Sequence, residues 1–416
     1  MSRQVQLKLG WNRIADAGAR CLLATANRIL FRQVSREQTF RRILIYRIGN
    51  IGDVLVTLPA LDAIRARFPE AHIALLTSPG RPGSPGAEQI LPPGKWFDQV
   101  LVYYTPEMRS WRGRWQLLRR LREGRFDLFV ELPNQQSRPR EELRNMLFAR
   151  MAGCRHALGF EVSQHALFLR EQSLHVPQVR ESVRIYRSVA AKLGLDSYRD
   201  PHLPVSDESR KEISGLLGRL GIFDREQLIV VHAGAKRNTN QWPCERYAAL
   251  VQQIIRRWGI RVVLTGSASE LSLGEQIAGG MRGNPVVLCG KLDLPQLTAL
   301  LERAILYVGN DTGPMHLAAA VGTPVVSIFG ARDFPERWYP AGTGHSVLRR
   351  DVPCSPCFKE ICDKNLICLK GITPDEVLAE VQRQLSPLEL SVAAAREGAQ
   401  HFGGGHDSPR FTEGSI

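Results

Sequence analysis

Gly309-Asn310-Asp311-Thr312-Gly313-Pro314-Met315-His316 follows an apolar run and opens a helix of small residues, Leu317-Ala318-Ala319-Ala320-Val321. A strand that stops at Asp-Thr-Gly-Pro and restarts as a helix leaves unpaired backbone N–H groups at the helix's positive end, where a phosphate can sit. Pro314 suits the first turn, having no N–H to leave unpaired and a φ that is already helical. The plainer reading is an ordinary capped turn between a buried strand and a helix. A second cluster with chemistry to offer is Cys354-x-x-Cys357-x4-Cys362-x5-Cys368, which holds four of the eight cysteines. That density can make a zinc site, two disulfides, or a loop packed with reduced thiols. Several nucleotide and metal signatures are missing: there is no Gly-x-Gly-x-x-Gly after the first strand, no Walker A sequence, no His-Glu-x-x-His, and no Asp-x-Asp to hold Mg²⁺. Any phosphate binding must use another arrangement.

The elements that would position these residues read as alternating strands and helices. Arg42 to Ile48 is a strand ending in Gly49-Asn50-Ile51-Gly52-Asp53, Val54 to Phe68 has helical spacing, and Ala71 to Thr77 is a second strand. This βαβ opening implies a parallel sheet with helices on its faces. A Pro/Gly-rich loop from Pro79 to Gly94, a strand at Phe126 to Leu132, a helix near Arg140 to Ala152 and an irregular stretch to Leu203 complete the first half. The second half restarts with strands at 228–233, 261–266, 285–288, 304–308 and 323–329, and with helices at 244–258, 271–281 and 294–302. At 416 residues the chain exceeds what one core usually holds, so two doubly wound α/β domains are expected, with a ligand crevice at the carboxyl ends of their strands. The tail from Arg396 to Ile416, with Gly403-Gly404-Gly405, has little to bury and is expected to be disordered.

Charge placement suggests partners. The formal charge is +14, and up to residue 47 ten basic residues face only Asp16 and Glu37. On a helical wheel Leu7, Trp11, Ile14, Ala15, Gly18, Leu22 and Ile29 share one side, with Arg13 and Arg20 opposite. A basic amphipathic helix can lie on an anionic membrane surface, or pack on the body of the protein with a solvated basic face. Aromatics are not interleaved with basic residues as a stacking platform, which argues against nucleic acid. No apolar run approaches the roughly 18 to 20 residues that span a bilayer, and the N-terminus does not read as a cleavable signal. A cytoplasmic location is expected.

Taken together, Ile43 to Pro59 with Gly52-Asp53, the Gly234 to Pro243 region with Trp242-Pro243, and Asp311-Thr312-Gly313-Pro314-Met315-His316 leading to Phe329-Gly330 resemble glycosyltransferase family 9, the ADP-heptose:lipopolysaccharide heptosyltransferases. The similarity runs in order over Arg41 to Gln384. It implies a GT-B fold, two Rossmann-like domains facing an interdomain cleft, here with an added N-terminal amphipathic helix. On that reading residues 1–40 are the basic extension, 41–205 the acceptor domain, 206–385 the nucleotide-sugar domain, and 386–416 a helix end and tail.

Residue chemistry accords with the resemblance. An inverting sugar transfer needs a base to take the acceptor hydroxyl's proton and donors to hold the charge growing on the departing diphosphate. Asp53 is the candidate base, although Asp also caps helices well. The resemblance places Asp311, Thr312, Gly313, Met315 and His316 at the nucleotide sugar. Thr312 and Gly313 would offer donors at the helix N-terminus, with His316 reaching the same anion. Asp311 would repel a phosphate directly, so sugar hydroxyls or the loop are its better partners. Glu270 resembles a ribose ligand, or is a first-turn Glu favoured by the helix dipole.

The chain departs from the family where a lysine often precedes Trp-Pro, for it has Asn240-Gln241-Trp242-Pro243. Lys236 or Arg237 would then supply the positive charge. Helix dipole and basic side chains would neutralise the diphosphate without a metal, so no cofactor is expected beyond ADP-heptose or another nucleotide sugar as donor. Since similar cysteine clusters occur in some relatives, Cys354, Cys357, Cys362 and Cys368 are taken as structural.

For the acceptor, Gly52, Arg109 and Arg112, with the arginines through Arg125, would receive a phosphate-bearing lipopolysaccharide or glycolipid, or else form a solvated helix face. The expectation is an inverting, metal-independent transferase, peripheral on the inner face of the cytoplasmic membrane. Two alternatives keep the fold: a catalytically idle module that binds nucleotide sugar or glycolipid, and a transferase or epimerase using another nucleotide sugar.

Overall fold

The computed structural model describes residues 3–83, 86–92, 94–134, 138–160, 179–195, 197–281 and 285–386, with side chains from residue 17 onward. Five strands, β1 (Arg42–Tyr46), β2 (His72–Thr77), β3 (Gln99–Val102), β4 (Leu128–Glu131) and β5 (His156–Leu158), form a parallel sheet in the order β3-β2-β1-β4-β5. Six more, β6 (Leu228–His232), β7 (Arg261–Thr265), β8 (Val286–Val287), β9 (Leu306–Asn310), β10 (Val325–Phe329) and β11 (Ser346–Arg349), form a second parallel sheet, β11-β10-β9-β6-β7-β8. β1 and β6 are central, and their near-continuous apolar runs suit strands covered on both faces. Alternation along β1 sends Ile43 and Ile45 into one helix-covered layer and Leu44 and Tyr46 into the other.

Strand order reverses between β1 and β4 in the first sheet and between β6 and β9 in the second. The turns after β1 and β9 therefore emerge at the two switch points, where open α/β sheets bind ligands. The two halves meet there, with the helix Gly313–Ala320 packed on the helix Ile51–Leu55. The chain crosses between halves at Leu203, whose N–H donates to the Ala320 carbonyl at 2.8 Å.

Several local expectations need correction. The helix expected over Val54 to Phe68 is two, Ile51–Leu55 and Leu58–Arg67, because Pro59 starts a new first turn rather than continuing the old one. The stretch expected to be irregular up to Leu203 contains the helix Glu181–Leu193, which lies against Leu58–Arg67. β3, β5 and β11 are only three or four residues long and offer too little pattern for periodicity to detect. The N-terminal helix runs Arg3–Leu30 and packs on the first domain through Ala19 and Leu23, with Ala26 and Leu30 beside them. Leu22 and Ile29, on the expected apolar side, stay exposed, for it is the neighbouring stripe that meets the core. Among the described residues no helix is long and apolar enough to cross a membrane. The tail from Arg396 to Ile416 lies outside the described residues.

Candidate active site

A cleft of about 500 Å³ opens between the halves. Its first wall is the turn after β1, Gly49 to Asp53; its second carries Lys236, Arg237, Asn240, Glu270, the Asp311–Pro314 turn and His316. The backbone makes this close apposition possible. Gly49 sits at φ +148°, and a side chain there would strike the Asp53 Cβ. A Cβ at Gly52 would lie 3.0 Å from His316 Cδ2 and 3.7 Å from the Gly313 Cα, so the two walls touch through glycine.

Asp53 serves two local purposes. Its Oδ2 accepts from the Asn50 N–H at 2.9 Å, as the third residue of a capping box, while its side chain still lines the cleft. Beneath it lies Arg47, which the sequence reading counted only as charge. Arg47 is buried; its Nε donates to the Asp53 carbonyl at 2.9 Å, its Nη1 to the Pro133 carbonyl at 2.8 Å, and its Nη2 stands 3.7 Å from Asp53 Oδ1. Burial pulls the Arg47 pKa down, and the Asp53 and Glu181 carboxylates oppose that fall. A charged residue at the inner end of an otherwise apolar strand was the available signal.

On the opposite wall the half-buried Thr312, Gly313 and Pro314 form the start of an eight-residue helix and line the cleft. His316 is buried against Trp338, ring centroids 5.9 Å apart, and burial lowers its pKa to about 4. It is therefore neutral near pH 7 and can donate one ring N–H to an anion without bringing charge. Burial raises the Asp311 carboxyl to about 7, with Asp333 adding to the rise and Arg332 and Arg237 opposing it. Asn240 is buried and donates from Nδ2 to the Asp311 carbonyl at 2.9 Å and to its Oδ2 at 3.2 Å. Asn240 thus fixes the Asp311 turn and supplies no charge.

The positive groups of the cleft are Lys236, Arg237 and Arg332. Arg237 Nε pairs with Glu360 at 3.0 Å, which draws it toward the loop carrying the cysteines. Arg332, missed from sequence, follows the end of β10, donates from Nε to the Lys359 carbonyl at 2.9 Å and lines the cleft from beneath. Glu270 caps its own turn by accepting from the Ser267 N–H at 2.7 Å and also lines the cleft near His232. Burial lowers the His232 pKa, and the Glu270 carboxylate opposes that shift.

Three expected ligands are placed elsewhere. Met315 is wholly buried in the core beneath its helix, because position N3 of this helix faces inward. Arg109 and Arg112 are not on the cleft; Arg109 ends a short 3-10 turn and Arg112 belongs to the helix Trp111–Glu123, which covers one face of the first sheet. None of the four cysteines is in a disulfide, and all four line one small pocket beside Thr239 and Arg332. Cys362 Sγ accepts the Lys364 and Leu366 N–H groups at 3.3 Å each. Among the described residues no three His, Cys, Asp or Glu side chains are gathered as a metal site. The cysteine loop braces the cleft instead, for Thr239 Oγ1 donates to the Lys359 carbonyl at 2.8 Å.

Two parallel α/β sheets whose switch-point turns face one another across a cleft define a GT-B-type glycosyltransferase fold. The family model described as glycosyltransferase family 9 (heptosyltransferase) matches residues 114–367, and the chain belongs to that family. Lipopolysaccharide heptosyltransferase 3 of Escherichia coli K12 is 28% identical over 302 residues, covering 68% of this chain and 80% of that one. Among solved structures, a family 9 glycosyl transferase from Veillonella parvula superposes with a TM-score of 0.67 at 22% identity, covering 84% of this chain and 99% of that one. The ADP-heptose lps heptosyltransferase II of E. coli does so with a TM-score of 0.60, also at 22% identity and with the same coverage. The chain is thus a glycosyltransferase, with the fold expected from its sequence.

Proposed function

We propose that this enzyme transfers heptose from ADP-heptose to a lipopolysaccharide core acceptor with inversion, with residues 41–205 receiving the acceptor and 206–385 the donor. The observation that carries the reading is that Asp53 and the N-terminus of the helix Gly313–Ala320 line the two walls of one cleft. The acceptor oxygen bonds to the anomeric carbon as its proton passes to the Asp53 carboxylate, and the bond from that carbon to the diphosphate breaks. The leaving ADP is met by the Thr312 and Gly313 N–H groups, by His316, and by Lys236, Arg237 and Arg332. In this scheme the cations and the helix dipole do the work otherwise given to a metal ion. Glu270 is assigned to the ribose. The names of the relatives support donor and acceptor, and a lipid-borne acceptor puts the enzyme at the cytoplasmic face of the membrane as a peripheral protein.

Asn240 favours one rival, a module that binds the nucleotide sugar without turnover. Purified protein given ADP-heptose and truncated lipopolysaccharide should release ADP, and Asp53→Ala should abolish release while keeping donor affinity. Donor binding without any ADP release by the wild type supports the rival. Release unchanged by Asp53→Ala removes Asp53 as the base. A thermal-shift comparison of ADP-, UDP- and GDP-sugars checks the base, since only the bound nucleotide stabilises the fold.

A further inference from the structure

The helix Trp111–Glu123 turns Leu117 and Leu121 into the core and presents tryptophan and arginine outward. Trp111 is 72% and Trp115 54% exposed, although indole area is costly to leave in water. Arg112 lies over the Trp111 ring and Arg119 over the Trp115 ring, each 5.8 Å from the centroid. The helix carries five arginines against one glutamate.

This surface continues across two neighbours. Leu117 and Leu121, Met146 and Ala149 of the helix Pro139–Met151, and Ala19 and Leu23 of the N-terminal helix all enter one core layer on one face of the first sheet. Arg122 Nε donates to the Met151 carbonyl at 2.7 Å, tying the first helix to the second, and the N-terminal helix packs on the second. The outward sides of all three therefore form one face. Leu147 and Met151 are exposed on the second helix, Leu22 and Ile29 on the N-terminal one, Ile29 to 77%. Of the twelve large apolar side chains exposed among the described residues, six are on this layer.

Single exposed apolar residues need no explanation, and an arginine-rich helix face is ordinarily solvated. Here the two coincide, with apolar tips set within a belt of guanidinium groups. That combination fits a bilayer interface, where indole rings sit at headgroup depth and arginine stems lie along apolar surface with their charge on phosphate. The sign of the charge selects anionic lipid. We propose that the outer face of this three-helix layer docks on an anionic phospholipid bilayer, with Trp111 and Trp115 entering the headgroup region. The proposal rests on the functional reading above in one respect, that a lipid-borne acceptor is met at a bilayer; the surface itself is separate from the cleft.

The full chain is sedimented with phosphatidylethanolamine–phosphatidylglycerol vesicles and with pure phosphatidylcholine vesicles, beside the variant Trp111→Ser/Trp115→Ser. Wild type should bind the anionic vesicles, lose them as salt rises and ignore phosphatidylcholine, and the variant should bind about tenfold more weakly with an unchanged Tm. No binding, equal binding to both vesicles, an unweakened variant, or a tryptophan-dependent dimer without vesicle binding each overturns it. ADP release is followed in parallel on a water-soluble, delipidated core acceptor without vesicles, where the variant should match wild type. If wild type releases no ADP there, the cleft reading fails while the vesicle result stands.

Discussion

The carboxylates of this cleft differ most in how their surroundings treat charge. Asp53 Oδ1 stands 3.7 Å from the Arg47 guanidinium, whereas Asp311 is raised to about 7 by burial and Asp333. A base should be ionised, and a carboxyl next to a departing diphosphate is better neutral. Asp53→Asn keeps the shape and the cap but removes the basic oxygen, so kcat should fall by about 10² to 10⁴ with ADP affinity unchanged, as read by turnover and calorimetry. Asp311 titrates within the working range: below pH 7 it is mostly neutral, above it mostly anionic. Affinity for the nucleotide diphosphate should weaken as pH rises through about 7, and Asp311→Asn should flatten that dependence in binding measurements from pH 6 to 8. Arg332→Met should raise the donor KM, because it removes a cation from the cleft where Asn240 supplies none.

The elements that matter most are two short helices that start at the cleft. Gly52 and Gly313 let their first turns meet, so Gly52→Ala should push His316 and the Asp311–Pro314 turn away from Asp53. The expected result is a loss in kcat/KM of about tenfold or more with little change in Tm, checked by steady-state kinetics and thermal melts. Both turns were legible in sequence as glycine-rich strand ends followed by apolar helices. Other elements were not. The helix Glu181–Leu193 has no capping signal in sequence, and Arg180 stands at its N-cap without a side-chain capping bond. Its position comes from tertiary contact, since the Glu181 N–H donates to the Arg337 carbonyl of the other half at 2.9 Å.

That contact also bears on the whole molecule. The Glu181 carboxylate is fully buried between Arg184, at 2.7 Å, and Arg337, at 3.1 Å, and the two guanidiniums hold it down at about 2 against the upward pull of burial. A carboxyl whose folded pKa is depressed contributes stability above its unfolded pKa and loses it as pH falls toward the folded value. The joint between the halves should therefore weaken between about pH 4.3 and about 2. Glu181→Gln should cost about 3 kcal/mol at pH 7 and blunt that acid loss, as measured by denaturant melts across pH. Sequence alone determined the α/β alternation, the two halves and the facing Gly52-Asp53 and Asp311-Thr312-Gly313 turns, because hydrophobic period and glycine placement are local properties. Only the tertiary structure decided that Arg47 and Arg332 belong beside the cleft, that Met315 turns into the core and that Arg112 faces outward away from the cleft lining. Those outcomes depend on which side of a helix or strand end meets its neighbour, and residues distant along the chain set that contact.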